Sequence, residues 1–137
     1  MTTLAVDLPR AYQLGNLEEY PVIAADIIYE GAAVGENGAG YSRPLVAGDP
    51  FQGFAQETAD NATGSAGDKR VRVLTRGRVQ LTIAGLAITA NDRAAVYASD
   101  DDTFTLAAGG NSKIGNVSRW VSTGVAIVEF DALRVAP

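Results

Sequence analysis

The chain has 137 residues, 47% of them hydrophobic and 20% charged, with a formal net charge of -5. A chain of this size buries about two-thirds of its unfolded surface and supports one domain with a real core, and its composition excludes the low-hydrophobicity, high-charge class of disordered chains. The acidic balance argues against a dedicated nucleic-acid binder, which carries a basic stripe, and against attraction to an anionic membrane surface.

Residues 1–25 differ in character from the rest of the chain. They carry Pro9 and Pro21, and neither period 2 nor period 3.6 is sustained. The stretch reads as an extended N-terminal arm with room for one helical turn. Its scattered Leu4, Val6, Leu8, Tyr12, Leu14 and Tyr20 favour an arm that packs on something, because a solvated tail is usually poorer in apolar residues.

From Asp26 onward the chain reads as short strands separated by turns. Residues 27–34 are apolar and β-rich, and they end at Gly35-Glu36-Asn37-Gly38-Ala39-Gly40, where Asn37-Gly38 marks a turn. Gly48-Asp49-Pro50 is another turn. Residues 59–67 are rich in Asp, Asn, Thr, Gly and Ser and predict an exposed loop.

Residues 69–84 show the clearest alternation. Val71, Val73, Val79, Leu81 and Ile83 fall on one face, and Arg70, Arg72, Arg78, Gln80 and Thr82 on the other. Period 2 with one apolar face marks a half-buried antiparallel strand. Arg76-Gly77 interrupts the run as a bulge or tight bend would. Further strands are expected around residues 94–98, 103–106, 114–121 and 124–130. No helix of three turns is evident; residues 86–95 contain helix formers that Ile88-Thr89 and Asn91-Asp92 weaken. This spacing of turns is that of an all-β protein. The expected fold is one antiparallel β-sandwich or barrel over residues 26–137, jelly-roll-like or β-tulip-like, preceded by the arm.

Candidate chemistry is sparse. There is no cysteine and no histidine, so disulfides, thiolate metal sites and His-dependent nucleophilic triads are excluded. No apolar run reaches the roughly 18–20 residues of a membrane span. The opening Met1-Thr2-Thr3-Leu4-Ala5-Val6-Asp7-Leu8 lacks the basic start and apolar core of a signal peptide. The expectation is a soluble, intracellularly made protein. Asp100-Asp101-Asp102 supplies clustered oxygens of the type calcium prefers, but it lacks the EF-hand spacing and reads as a hairpin turn. Gly35 to Gly40 has the wrong spacing for a phosphate loop. Trp120 is expected to fill the core beside Val117 and Val121. Two glycosylation sequons, at Asn61 and Asn116, carry no weight without a secretory signal.

Lys69, Arg70, Arg72, Arg76 and Arg78 are five of the eleven basic residues. They form either a patch that meets an acidic partner or the solvent face of a strand pair, residues 69–75 with 76–84, kept charged against edge-to-edge aggregation. No aromatic is interleaved among them for base stacking.

The order of segments is itself informative. Leu45-Val46-Ala47-Gly48-Asp49-Pro50-Phe51-Gln52-Gly53-Phe54-Ala55 is followed by a glycine-rich loop and Val71-Arg72-Val73-Leu74-Thr75-Arg76-Gly77-Arg78-Val79. Then come Ala94-Ala95-Val96-Tyr97-Ala98 with its acidic turn, Lys113-Ile114-Gly115-Asn116-Val117, and Val125-Ala126-Ile127-Val128-Glu129-Phe130. Over residues 26–131 this succession resembles the capsid cement (decoration, head-stabilising) proteins of tailed bacteriophages. The resemblance implies a non-enzymatic virion protein on the outer surface of the head, made in the host cytoplasm. It implies the major capsid protein as partner, with no catalytic residue, cofactor, nucleic acid or membrane. On this reading the expected state is a homotrimer, with a dimer as the alternative. The expected contacts are the arm, through Leu4, Val6, Leu8, Tyr12, Leu14 and Tyr20, and the basic residues Lys69, Arg70, Arg72, Arg76 and Arg78. Two classes compete: a β-sandwich module that binds carbohydrate, and a small carboxylate-only enzyme, which would need two facing carboxylates that no spacing in the sequence points to.

Overall fold

Alternating apolar and polar residues place the strands. In a computed structural model that describes residues 5–11 and 13–135, Val71 and Val73 are fully buried while Arg70 and Arg72 face solvent. The first six of twelve strands are β1 (Leu17–Pro21), β2 (Asp26–Ile28), β3 (Ala33–Glu36), β4 (Ser42–Pro44), β5 (Phe51–Ala55) and β6 (Ala59–Asn61). Then come β7 (Arg70–Leu74), β8 (Arg76–Thr82), β9 (Ala95–Ala98), β10 (Phe104–Thr105), β11 (Ser112–Ser122) and β12 (Val125–Asp131). The helix formers of the 86–95 stretch make only a 3₁₀ turn, Ile88–Asp92. No helix among the described residues is long and apolar enough to cross a membrane.

The strands form two five-stranded sheets, ordered β1-β7-β5-β3-β4 and β10-β9-β11-β12-β8, plus the β2-β6 pair. Every pairing between these strands is antiparallel. The first sheet is the middle of three layers. On one side its Ala33, Phe51 and Phe54 pack with Leu81, Ile83, Val96, Ile114, Val128 and Phe130 of the second sheet and its flanking residues. On the other side Val34, Val71 and Val73 pack with Ile28 and Ala59 of the β2-β6 pair. Phe54 joins Phe130 edge to face at 4.9 Å and Phe51 at 5.5 Å, the geometry ring quadrupoles favour.

Two glycines let these layers close. Gly53 lies in β5 at φ 122°, and a Cβ there would collide with the Leu74 carbonyl oxygen of β7. Gly115 of β11 lies opposite Phe130, and a Cβ there would strike the Glu129 carbonyl oxygen. Only glycine combines such close approach with free φ.

The fold is the expected antiparallel sandwich, but its sheets are open, so the barrel half of the expectation is corrected. A single bridge, Ile83 with Phe104, approaches closure between the β8 and β10 edges. The arm is also shorter than expected. β1 pairs with β7 along its whole length and Val22 is fully buried, so residues 17–22 belong to the body. Pro21 masked this strand in the sequence, yet proline is tolerated on an edge strand. No described residue between 5 and 16 is helical.

The largest correction concerns the 69–84 alternation. β7 lies in the first sheet and β8 in the second, so they are not a hydrogen-bonded pair. One residue, Thr75, separates them, too few for a hairpin turn. The chain changes sheet there, as strands at sandwich corners do. Thr75 is buried and pinned: its N–H and hydroxyl both donate to the Asn16 carbonyl, at 2.8 and 3.0 Å. Its own carbonyl accepts from Ala132 N–H at 2.8 Å.

Candidate interaction surface

The Asn16–Thr75 clasp fixes where the arm leaves the body. Beyond it the described arm residues are exposed: Val6 by 78%, Leu8 by 50% and Leu14 by 96%. Among the described residues, Val6 and Leu14 find little cover on their own domain, and Leu8 is half covered. Leu4 and Tyr12, expected alongside them, lie outside the described residues. Tyr20 does not belong with them. It sits in β1 and packs against the Val71–Val73 cluster, where burial, and then the Glu18 carboxylate, hold its phenol above the usual value. Half-buried on the inward face of a strand, one residue before Pro21, it is tied to the body and not to the free arm.

The basic run is split by the change of sheet. Arg70 and Arg72 are exposed on β7, next to Lys69, and Arg72 approaches Glu19 of β1 at 3.7 Å. Arg76 and Arg78 lie on the outer face of the second sheet, where Arg78 approaches Glu129 at 3.5 Å. Exposed pairs of this kind contribute little to stability. The five cations are therefore two groups on two sheets. The second group meets the root of the arm: Asn16, Arg76, Arg78, Lys113, Asn116 and Glu129 line one groove of about 730 Å³. Lys113 and Arg134 add positive charge to it, and Glu129 and Asp131 add negative. Neither Lys113 nor Arg134 belonged to the expected set. Lys113 was legible only as a solvent-facing position of β11, and Arg134 lies in the turn after β12.

The turn motifs have structural roles. Asn37 Oδ1 accepts from the Ala39 and Tyr41 N–H groups, at 2.8 and 3.1 Å, and Glu36 Oε2 from those of Gly38 and Gly40, both at 2.7 Å. The Gly-Asp-Pro turn holds a half-buried ion pair, with Asp49 buried and Arg43 partly exposed, that sequence reasoning missed. Asp49 accepts from Arg43 Nε and Nη2 at 2.9 and 2.8 Å and from Val46 N–H at 3.0 Å. The carboxylate keeps the Arg43 guanidinium above its usual value. Ser112 then donates its hydroxyl to the Asp49 carbonyl at 2.6 Å, tying this corner to the second sheet.

In the acidic turn, Asp102 N–H and the Thr103 hydroxyl donate to Asp100, at 2.9 and 3.0 Å, which lowers its pKa. Partial burial, and then the neighbouring Asp100 and Asp102, raise that of Asp101. Among the described residues no group of three or more acidic side chains is arranged to hold a metal. Trp120 is half-buried and packs against the rim of the main core instead of filling it. Asn61 is buried and donates from Nδ2 to the Ile23 and Ser65 carbonyls, at 2.8 and 3.0 Å, so its side-chain amide is in use.

No protein-family model matches the chain, and no curated protein matches it.

Proposed function

We propose that this chain is a non-enzymatic structural protein of a bacteriophage virion, binding the outer surface of the head and stabilising the lattice of the major capsid protein. The observation that carries this reading is the exposed apolar arm. Val6, Leu8 and Leu14 stand exposed on a segment clasped to a well-packed body at Asn16. Apolar side chains held away from their own core gain by burial against a partner, at about 25 cal/mol per Å² of apolar surface removed from water. The cationic groove beside the arm's root supplies orientation toward an acidic partner. The resemblance of the order of segments to that of phage cement proteins supports the major capsid protein as the partner class.

A cement protein needs no chemistry. It binds the assembled shell and not its dissociated parts, and so stabilises the shell by mass action, by about 2.7 kcal/mol per site at 100 times the dissociation constant. Oligomers, a trimer foremost and a dimer as the alternative, multiply this through effective concentration. The protein is made in the host cytoplasm and resides on the virion surface.

The test is co-sedimentation of the purified protein with mature, cement-free heads of the phage that encodes it. The expected result is saturable binding at a fixed ratio to the major capsid protein, with heads that survive heat or low salt better. Absence of binding at every salt concentration would refute the role and bring forward the carbohydrate-binding class, which a glycan array would then probe.

A further inference from the structure

The second sheet ends on an unusually long free edge. β8 is seven residues long, and among the described strands it pairs with β12 alone, with one bridge from Ile83 to Phe104 just past its end. The other edges are short or interrupted. β10 has two residues, β1 ends in Pro21, and β4 has three residues, one of them bridged by Val22.

The direction of β8's backbone groups is set by its neighbours. Ile83 N–H donates to Gly124 at 2.8 Å and the Thr75 carbonyl accepts from Ala132, so odd-numbered residues bond toward β12. Ala84 N–H points the other way, to Phe104. Successive residues of a strand address opposite edges. The N–H and C=O groups of Arg76, Arg78 and Gln80 therefore line the free edge, all three residues are exposed, and the Thr82 end is taken up by the bridge to Phe104. A row of unpaired backbone groups is a template for another strand.

The arm has the pattern such a strand needs. Leu4, Val6 and Leu8 alternate with Ala5 and Asp7. β8 alternates in the same way, with Val79 and Leu81 inward and Arg78 and Gln80 outward. The four residues 5–8, at about 3.3 Å each, fit within the span of β8. In register, the arm's apolar side chains would extend the core beyond Val79. Asp7 would fall on the outer face beside Arg76 and Arg78, continuing the row in which Glu129 lies opposite Arg78. Opposite charges directly across a strand pair are favourable. Pro9 ends the run, since it has no N–H to give.

We propose that the segment around Val6 and Leu8, residues 5–8 of one copy, adds as a sixth strand to the β8 edge of a second copy, so that the chain assembles with itself through β-augmentation. Within one copy the described arm residues remain exposed and unpaired, so exchange between copies covers both the arm and the edge. The inference requires no capsid: it covers Val6 and Leu8 between copies and leaves Leu14, at the arm's root, to face the head, so its failure would leave the head-binding test untouched.

The chain has no cysteine, which makes the test clean. Full-length Asp7→Cys and full-length Arg78→Cys proteins are mixed and oxidised, with Asp7→Cys plus Ser122→Cys as the control pair. Light scattering gives the mass of the unmodified protein. The proposal predicts an oligomer and a mixed disulfide at least about tenfold more abundant than in the control pair, as docking raises effective concentration. It also predicts that Gln80→Pro, which removes a free-edge N–H and no bond to β12, returns the protein to monomer with its β circular dichroism retained. A monomeric unmodified protein, a disulfide with no preference for position 78, or an oligomer that survives Gln80→Pro in a folded protein would each overturn it. If Gln80→Pro fails to fold, the mass and the cysteine pairs decide.

Discussion

β7 and β8 carry nearly the same message, Arg-Val-Arg-Val-Leu and Arg-Gly-Arg-Val-Gln-Leu-Thr, and occupy opposite positions. β7 is held between β1 and β5, and its valines are fully buried under the β2-β6 pair. β8 ends the second sheet with one row of backbone groups open. Alternation tells which side chains face a core. It does not tell how many neighbours a strand has. Here the strand with two neighbours serves the fold, and the strand with one offers a surface.

Substitutions that break or sharpen this contrast run from the core outward. Phe130→Ala removes the ring that seats β8 against the sandwich opposite Gly77 and empties the Phe51–Phe54 cluster. The expected loss is about 3–5 kcal/mol, read by denaturant unfolding. Gly53→Ala forces a left-handed backbone on a residue with a Cβ and pushes it into β7. The expected cost is about 1–3 kcal/mol, with β7 amides losing protection first. Val73→Ala and Val79→Ala form the direct comparison. The buried β7 position should lose about 2 kcal/mol, since two methyls at roughly 0.8 kcal/mol each are joined by a cavity term. The half-buried β8 position should lose less than half of that. Equal losses would erase the distinction between the strands.

The smallest effects are on charge. Arg78→Ala should change stability by no more than about 0.5 kcal/mol, as surface substitutions do, while weakening self-association. Asp101→Asn should slightly stabilise the protein at neutral pH, again within about 0.5 kcal/mol. The sign is set by its raised pKa. The folded state disfavours the ionised form, so the penalty is absent below the ordinary carboxylate value and complete above the raised one. Stability curves against pH for the two proteins should therefore diverge as pH rises through that window.

Much of the architecture was legible. Period 2 placed Val71, Val73, Leu81 and Ile83 inward, and Asn37-Gly38 and Gly48-Asp49-Pro50 fell in turns. What escaped was non-local. Thr75 gives no sign that the chain changes sheet there, because its signal is a hydrogen bond to Asn16, fifty-nine positions away. β1 was hidden by its shortness and by Pro21. The Arg43–Asp49 pair depends on a turn that brings two residues of ordinary surface type into one half-buried corner. The contact set divided for the same reason: five cations close in sequence were separated by one corner, and Lys113 joined two of them from a distant strand.

The central claim is that β8, unlike β7, presents a free edge to a partner. Residue-resolved hydrogen exchange measures this directly. In dilute protein the Arg78 and Gln80 amides should exchange quickly while Val79, Leu81 and the β7 amides bonded to β1 and β5 stay protected. At assembly concentrations Arg78 and Gln80 should become slow. Arg78 and Gln80 amides that are already protected in the dilute monomer, or that stay fast in the assembled state, would contradict the account.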